Sequence, residues 1–349
     1  MKLPIISLAF LFIFSCHALS STKVTFINPG YEFENPTGDF WLNVTLFMQA
    51  AADDLDIQLT VHYAERNHIV MKKMVRKAIQ DTSSYLILVD EKSVITDTII
   101  NSTQTHPAIV FLLNKPHDQQ MKRINSKGFG ILGSIMPDNF QAGKLLAQHL
   151  STIVTPPKSY TRNQMIALLG ETATLAARNR EQGLLSYSNR EPSLQLKQRI
   201  SANWSHDEAF QLTLGLMQRL PDTKIIWAAN DAMAMGSVQA LEKLGVRKKV
   251  KVGGINWDKN QHLALDASVG GHVTLGGLAM VKIYDHARNK KPIQSEEQYP
   301  IFDVFSEKYM PLYRAIHDKN VTEIDFTQFS ETAISPLNYN LDVLNGFFK

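Results

Sequence analysis

Short apolar segments that favour strands alternate with amphipathic segments that favour helices along most of the chain. KVTFIN (23–28) is a typical predicted strand, and 231–244 is a typical predicted helix. Within that helix Ala234, Val238 and Leu241 recur at spacings of four and three residues, which places them on one buried face. Regular strand–helix alternation predicts an α/β fold, with parallel sheets covered by helices on both faces.

The alternation runs twice, with a break near 128–137 at the glycine-rich stretch GFGILGS. It therefore predicts two doubly wound lobes with a cleft between them, a common location for a small-molecule site. We expect one lobe from residues 21–133 plus 277–300 and the other from 134–276, and the pattern leaves 301–349 unassigned. The predicted strands are 23–28, 57–63, 85–89, 108–113, 165–170, 194–200, 224–229 and 250–255, and the predicted helices are 38–55, 67–80, 94–103, 138–152, 174–189, 205–219 and 231–244.

The first twenty residues are typical of a signal peptide. They combine Lys2 with an apolar stretch over 3–14 and small residues at Ala18 and Ser20. The stretch is shorter than the ~20 residues that a membrane-spanning helix needs. We expect cleavage after Ala18 or Ser20 and export to the periplasm. Lipid attachment at Cys16 is the alternative, and Phe14 fits that signal poorly.

Composition narrows the function further. Cys16 is the only cysteine, so the exported chain would hold no disulfide, cysteine–metal site or cysteine nucleophile. The net charge of +3 shows no excess of basic residues for nucleic acid or an anionic membrane. The chain contains no phosphate loop, HExxH motif or nucleophile elbow. We therefore expect a binding protein without a cofactor or metal rather than an enzyme.

Asn230 and Asp231, in the stretch WAAND, stand where a predicted strand ends and a helix begins. Such residues are preferred helix N-caps, because their side-chain oxygens accept backbone N–H groups. They also occur at ligand sites, because open α/β sheets bind small molecules outside the carboxyl ends of their strands. We expect Asn230 to contact a ligand and Asp231 to serve mainly as the cap.

Five motifs in order resemble the type I periplasmic binding proteins, the ribose- and galactose-binding group that includes the autoinducer-2 receptor. They are PG…GDFW, AIVFLLNKP, GETATLAARNREQG, WAANDAMAMGSVQALEKLG and VKVGGINWD, and together they fall within residues 22–300. The resemblance implies two lobes joined by a three-strand hinge, with crossovers near 133–136, 254–257 and 272–276. It also implies a ligand-binding set made of Phe40, Trp41, Asn114, Arg178, Asn230, Asp231 and Asn256.

This set suits a sugar or polyol. Arginine donates several hydrogen bonds, carboxylates accept from hydroxyls, asparagine does both, and an aromatic ring covers the C–H face. The sequence departs from ribose-binding members at the last crossover, where Gly276 and Gly277 stand in place of an expected polar side chain. The ligand is therefore left open beyond its class.

Two functions remain open. The first is a monomeric periplasmic protein that delivers a sugar-like ligand to the permease of an ABC importer. The second is a sensing subunit that docks on a membrane histidine kinase, which the long tail favours. A transcription repressor of the same fold is excluded by the leader and by the lack of a helix-turn-helix before the first strand.

Overall fold

A computed structural model describes residues 22–33, 38–81, 85–155, 161–259, 261–290, 292–293 and 298–348. The predicted signal peptide, including Cys16, lies outside these residues. Within the described ranges, no helix is both long enough and apolar enough to cross a membrane.

Strands and helices alternate as predicted. The strands are β1 (Thr22–Asn28), β2 (Ile57–Tyr63), β3 (Tyr85–Leu88), β4 (Ile109–Leu112), β5 (Ile131–Pro137), β6 (Asn163–Leu169), β7 (Leu194–Ser201), β8 (Thr223–Ala228), β9 (Lys251–Asn256), β10 (Ala267–Gly270), β11 (Gln298–Tyr299) and β12 (Asp303–Val304). The helices are α1 (Phe40–Asp54), α2 (His68–Gln80), α3 (Thr96–Ile100), α4 (Asp118–Ser126), α5 (Asn139–Ile153), α6 (Leu175–Ser188), α7 (His206–Arg219), α8 (Asp231–Lys243), α9 (Gln261–Ala264), α10 (Leu275–Asn289), α11 (Met310–His317) and α12 (Leu341–Asn345).

The strands form two six-stranded sheets, one in each lobe. The first sheet has the order β11-β5-β4-β3-β1-β2 and the second β12-β10-β9-β8-β6-β7. Neighbouring strands run parallel except for β12, which lies antiparallel to β10. The predicted fold class, two α/β lobes built on parallel sheets, is confirmed.

The glycine-rich stretch near 128–134, which predicted a link between the lobes, enters β5 of the first sheet. Glycine weakens strand propensity, so the strand pattern is faint there. Gly133 adopts a φ of +154°, and a Cβ at this position would lie 2.0 Å from the carbonyl oxygen of Ile293. The close backbone approach therefore requires a glycine within the strand.

Each lobe has its own hydrophobic core. The first core joins buried residues between 24 and 135 with residues between 273 and 344, and the second lies mainly between 142 and 269. The tail that the sequence left unassigned packs into the first core through residues such as Leu312, Phe326 and Leu344. Apart from the segment around β12, which belongs to the second sheet, the tail is thus an integral part of the first lobe.

The chain passes between the lobes after β5, after β10, between β11 and β12, and again after β12, where the tail returns to the first core. The first two passes fall near the predicted crossovers at 133–136 and 272–276. The crossover predicted at 254–257 is wrong, because β9 and the following β10 belong to the same sheet. Trp257 nevertheless inserts its side chain into the core of the first lobe.

Candidate ligand-binding site

A cavity of about 260 Å³ lies between the two lobes. This volume is near the lower end of the usual range for small-molecule sites, roughly 300–1,000 Å³. It is lined by Tyr31, Gly38, Phe40, Trp41, Arg66, Glu91, Leu113, Asn114, Pro137, Asn139, Ala176, Arg180, Asn203, Trp204, Asn230, Asn256 and His272.

The lining residues follow from the topology. Nine of the ten strands β1–β10 contribute a lining residue at the carboxyl end or within three positions of it, and β6 contributes through Ala176 and Arg180 of the following helix α6. Parallel strands bring their carboxyl ends to one edge of each sheet, and the two edges face each other across the cavity. Ligand binding outside the carboxyl ends of strands, which drew attention to WAAND in the sequence, therefore describes the whole site.

Arg180 is the central cation of the cavity. Its side chain is only 5% exposed. Its Nε donates to Asn139 Oδ1 (2.8 Å), its Nη1 to the Ala229 carbonyl (2.6 Å) and its Nη2 to His272 Nε2 (3.2 Å). Burial lowers the pKa of Arg180 to about 10, so the guanidinium stays protonated at neutral pH. Residues from three elements therefore hold one charged group in place.

The rotation of α6 decides that Arg180 points inward. Helices α5 and α6 pack closely through two glycines, Gly143 and Gly183. A Cβ at Gly143 would lie 1.9 Å from the Arg180 carbonyl oxygen, and one at Gly183 would lie 1.9 Å from that of Phe140. Backbone contact of this kind fixes the face that α6 turns toward the second core.

His272 follows β10, where the chain returns to the first lobe. Its ring lies between those of Phe40 (centroids 4.8 Å apart) and Phe302 (4.5 Å apart). Burial and the nearby Arg180 hold its pKa well below the usual value, so the imidazole is neutral. Since Arg180 can only donate, Nε2 is the acceptor and Nδ1 carries the proton. The last crossover therefore supplies a polar side chain to the cavity after all, in place of the one the sequence lacks at Gly276 and Gly277.

Asn230 is the N-cap of α8. Its Oδ1 accepts from the Met233 N–H (2.8 Å), and its Nδ2 donates to the Trp204 carbonyl (3.2 Å). The expectation that Asp231 is the main cap is therefore wrong. The carboxylate of Asp231 turns away from the helix and accepts from the backbone N–H of Asp258 (3.0 Å) and from Ser268 Oγ (2.7 Å).

Asp231 and Asp258 form a buried acidic pair beneath the cavity. Burial raises the pKa of Asp231 to about 6. Burial and the proximity of Asp231 raise that of Asp258 well above its usual value. Neither carboxylate lines the cavity, and both act on Arg180 through space rather than through a direct hydrogen bond.

Aromatic side chains supply the apolar surface of the cavity. Phe40 and Trp41 begin α1 and meet edge to face, with ring centroids 5.0 Å apart. In the other lobe, the Arg180 guanidinium lies 5.7 Å from the ring centroid of Trp204. A Cβ at Gly170 would lie 2.2 Å from the Trp204 ring, so a glycine is needed for the indole to pack there.

Charged residues of the first lobe are paired near the cavity. Arg66 Nη1 lies 2.8 Å from Glu91 Oε2. Lys92 Nζ, in the same turn as Glu91, lies 2.5 Å from Glu171 Oε2 of the second lobe. Glu91 and Glu171, the carboxylates on this side of the cavity, therefore already have cationic partners.

The tail supports the site from behind. Tyr313 Oη donates to the Asp258 carbonyl (3.0 Å), and His317 Nε2 lies 2.8 Å from the Trp257 carbonyl. Lys319 Nζ donates to Asn43 Oδ1 (2.5 Å) in the first turn of α1. The tail thus holds both the turn after Asn256 and the helix that carries Phe40 and Trp41.

The structure brings five of the seven predicted site residues to the cavity: Phe40, Trp41, Asn114, Asn230 and Asn256. Arg178 and Asp231 are outside its lining. Arg178 instead donates to the carbonyls of Thr172 (3.3 Å) and Ala173 (3.0 Å), within the loop that precedes α6. The cavity arginine is Arg180, two residues further along the same motif.

The sequence contained a signal for Arg180. Ala177, Arg180 and Leu184 recur at spacings of three and four on the buried face of α6, whereas Arg178 does not share that spacing. Asn139 could also have been found, because it follows β5 as Asn230 follows β8. His272 had no comparable signal, since its partners are distant in sequence.

The chemistry of the site is that of binding. Among the residues that the structure describes, no group of three or more His, Cys, Asp or Glu side chains is placed to hold a metal ion. The lining combines two guanidinium groups, five asparagine amides and aromatic surface. Such a set can hold a small molecule that carries many oxygen atoms.

Comparison with known proteins agrees with this architecture. A family model described as a periplasmic binding protein domain matches residues 33–269. The crystal structure of a periplasmic sugar-binding protein from Pseudomonas fluorescens is similar, with a TM-score of 0.79 and 27% identity over 93% of this chain and 99% of that chain. The Caulobacter myo-inositol binding protein shares the fold, with a TM-score of 0.68 and 16% identity over 86% of this chain and 98% of that chain.

Similarity to curated proteins is more local. The D-apiose import binding protein of Paraburkholderia graminis is 30% identical over 121 residues, which are 35% of this chain and 37% of that protein. The D-allose-binding periplasmic protein of Escherichia coli is 26% identical over 42% of this chain and 45% of its own length. The chain thus matches less than half the length of these two relatives.

Proposed function

We propose, from the premise that this chain belongs to the family of periplasmic binding proteins, that it captures a sugar-like ligand between its two lobes for an ABC importer. The observation that carries the proposal is the Arg180 cluster, in which one guanidinium is held at the cavity by Asn139, Ala229 and His272. A fixed guanidinium beside amides and aromatic rings is suited to a polyhydroxylated molecule.

The relatives support the ligand class. Their names refer to the import of D-apiose and fructose and to the binding of D-allose and D-ribose. The family is one of binding proteins rather than enzymes. Its periplasmic setting agrees with the signal peptide expected at residues 1–20, which supports export of this chain.

Titration calorimetry tests the proposal on protein produced with its own leader. Pentoses, hexoses, inositols and sugar acids form the panel. We expect a panel member to bind with a stoichiometry of one, and Arg180→Gln to weaken that binding at least ten-fold. The scale follows from charge-assisted hydrogen bonds, which contribute roughly 1.5–3 kcal/mol each.

Arg178→Gln is the matched control, because it removes the same group two residues away, outside the cavity. Unchanged affinity in Arg180→Gln, or a loss of affinity confined to Arg178→Gln, would contradict the assignment of Arg180. If no member of the panel binds, the proposed ligand class is wrong.

Delivery to a permease is the favoured role over docking on a histidine kinase. The tail no longer argues for the sensor, because it packs into the first lobe. The structural similarity to the Pseudomonas fluorescens sugar-binding protein covers 93% of this chain and 99% of that protein, so the matched region extends into the tail. Deletion of the gene should abolish uptake of the labelled ligand. If the deletion leaves uptake normal but abolishes the transcriptional response to the ligand, the sensor function is favoured instead.

A further inference from the structure

We infer that the ligand is an acidic sugar, an aldonate or uronate whose carboxylate pairs directly with Arg180. This inference rests on the proposed function, because it names the substrate class of the same cavity. It starts from the partners that Arg180 has within the protein.

Arg180 lacks a direct anionic partner. Among the Lys and Arg residues that the structure describes, only Arg180 is buried. No described carboxylate lies within ion-pair distance of its guanidinium. Three more exposed arginines all have such a partner: Arg66 pairs with Glu91, Arg199 with Glu181 and Arg247 with Asp266. A buried charge is costly unless an opposite charge and hydrogen bonds compensate it. The site is therefore better satisfied when a ligand brings the anion.

The hydrogen bonds of Arg180 leave the right donors. A guanidinium has five N–H groups, and those on Nε, Nη1 and Nη2 that bond within the protein go to neutral acceptors. One N–H on each terminal nitrogen remains without an acceptor among the described residues. Two such donors match the two oxygens of a carboxylate.

The nearby acids do not take this role. Asp231 Oδ2 is already bonded to the Asp258 N–H and to Ser268 Oγ, and neither acid lines the cavity. Burial raises the pKa of both acids, which favours their neutral forms. The two acids therefore offset the positive charge of Arg180 only in part, and without direct contact.

The rest of the lining selects against a cationic ligand. Glu91 is its one carboxylate and is paired with Arg66. The other polar side chains are mainly amides, namely Asn114, Asn139, Asn203, Asn230 and Asn256. Amides serve hydroxyl groups as donor and acceptor but cannot neutralise an ammonium group. An amino sugar would thus leave its charge unpaired.

Calorimetry with matched ligands tests the inference. The pairs are D-galacturonate with D-galactose, both rings, and D-gluconate with D-glucitol, both open chains. The methyl ester of D-galacturonate removes the charge while keeping the shape, and D-glucosamine supplies a cation. We expect an acid to bind at least ten-fold more tightly than its neutral partner and its ester, and the amino sugar to bind least.

Substitutions at Arg180 test whether this residue causes the preference for acidic over neutral sugars. Arg180→Gln should reduce the acid-to-neutral ratio to about one, and Arg178→Gln should leave it unchanged. Arg180→Lys keeps the charge without the paired donors, so it should retain an acid preference at reduced affinity. Melting temperatures of the unliganded variants identify any that fail to fold.

The outcomes separate the two proposals. Neutral sugars that bind as tightly as the acids would overturn this inference and leave the proposed function standing. A ratio that persists in Arg180→Gln would also overturn it. Absence of binding by every acid and every neutral sugar would overturn both.

Discussion

Lys92 Nζ and Glu171 Oε2 lie 2.5 Å apart and belong to different lobes. Lys92 lies in the turn after β3 of the first sheet, and Glu171 follows β6 of the second. Both side chains are partly buried, with 23% and 29% of their surface exposed. Because the pair spans the cleft, its energy favours the closed arrangement of the lobes.

Loss of this ion pair should weaken ligand binding. A partly exposed pair contributes roughly 0.2–1 kcal/mol, so Lys92→Gln should lower affinity by at most about five-fold. Lys92→Glu should lower it further, because two carboxylates then face each other. The double variant Lys92→Glu/Glu171→Lys should recover most of the loss in calorimetry. As a control, the same exchange at Lys115 and Asp118, which pair within the first lobe, should not alter affinity. Failure of the double variant to recover would show that the pair does not couple the lobes.

Ligand binding should close the lobes. The cavity has walls from both sheets, so a ligand gains its full set of contacts only when the two strand-end edges approach each other. Small-angle scattering should give a smaller radius of gyration with saturating ligand than without it. Lys92→Glu should increase the radius of the unliganded protein. Identical radii with and without ligand would contradict a closing cleft.

Asn230→Ala should destabilise the unliganded protein. The substitution removes the cap of α8, and loss of an N-cap costs about 0.5–2 kcal/mol in the free energy of unfolding. Asn230→Ser should restore much of this stability, because serine also caps helices. Urea unfolding measures both effects.

The control for that experiment is Asn340→Ala. Asn340 caps α12 through the Val343 N–H at 3.0 Å, and it does not line the cavity. It should cost similar stability without affecting ligand affinity, whereas Asn230→Ala should affect both. If Asn230→Ala leaves the free energy of unfolding unchanged, the cap is energetically unimportant.

Stability should fall as the pH rises from about 4 to about 6. Burial raises the pKa of folded Asp231 from its ordinary value of 3.8 to about 6, so the folded state holds a proton that the unfolded state has released. This contribution is fully present below the unfolded pKa and is lost as the pH passes through the folded pKa. Its slope approaches ~1.4 kcal/mol per pH unit.

Asp231→Asn should flatten this dependence, because the amide does not titrate and its oxygen can still accept from Ser268 and Asp258. Urea unfolding at pH 4.5, 5.5 and 7 measures the difference between the two proteins. A slope in Asp231→Asn equal to that of the wild type would assign the effect to another group.

The sequence alone determined the fold class and the general location of the site. Alternating apolar segments require parallel sheets, and parallel strands bring their carboxyl ends together. Asn114 and Asn256 were assigned by the resemblance to the periplasmic binding proteins, whereas Asn230 could be placed near the cavity from its position after a strand. This inference needs only the local pattern and the direction of the chain.

Tertiary structure decided which side chain of each motif faces the cavity. Arg178 and Arg180 are two residues apart, and 3.6 residues per turn place them about 200° apart around the helix. The contact of α5 with α6 through Gly143 and Gly183 sets that rotation and turns Arg180 inward. Likewise, His272 reaches Arg180 only because β10 lies beside β9 at the same sheet edge. The spacing of Ala177, Arg180 and Leu184 already indicated the buried face of α6. The contact of Arg180 with His272 depends instead on packing between segments distant in sequence, which no local pattern of residues encodes.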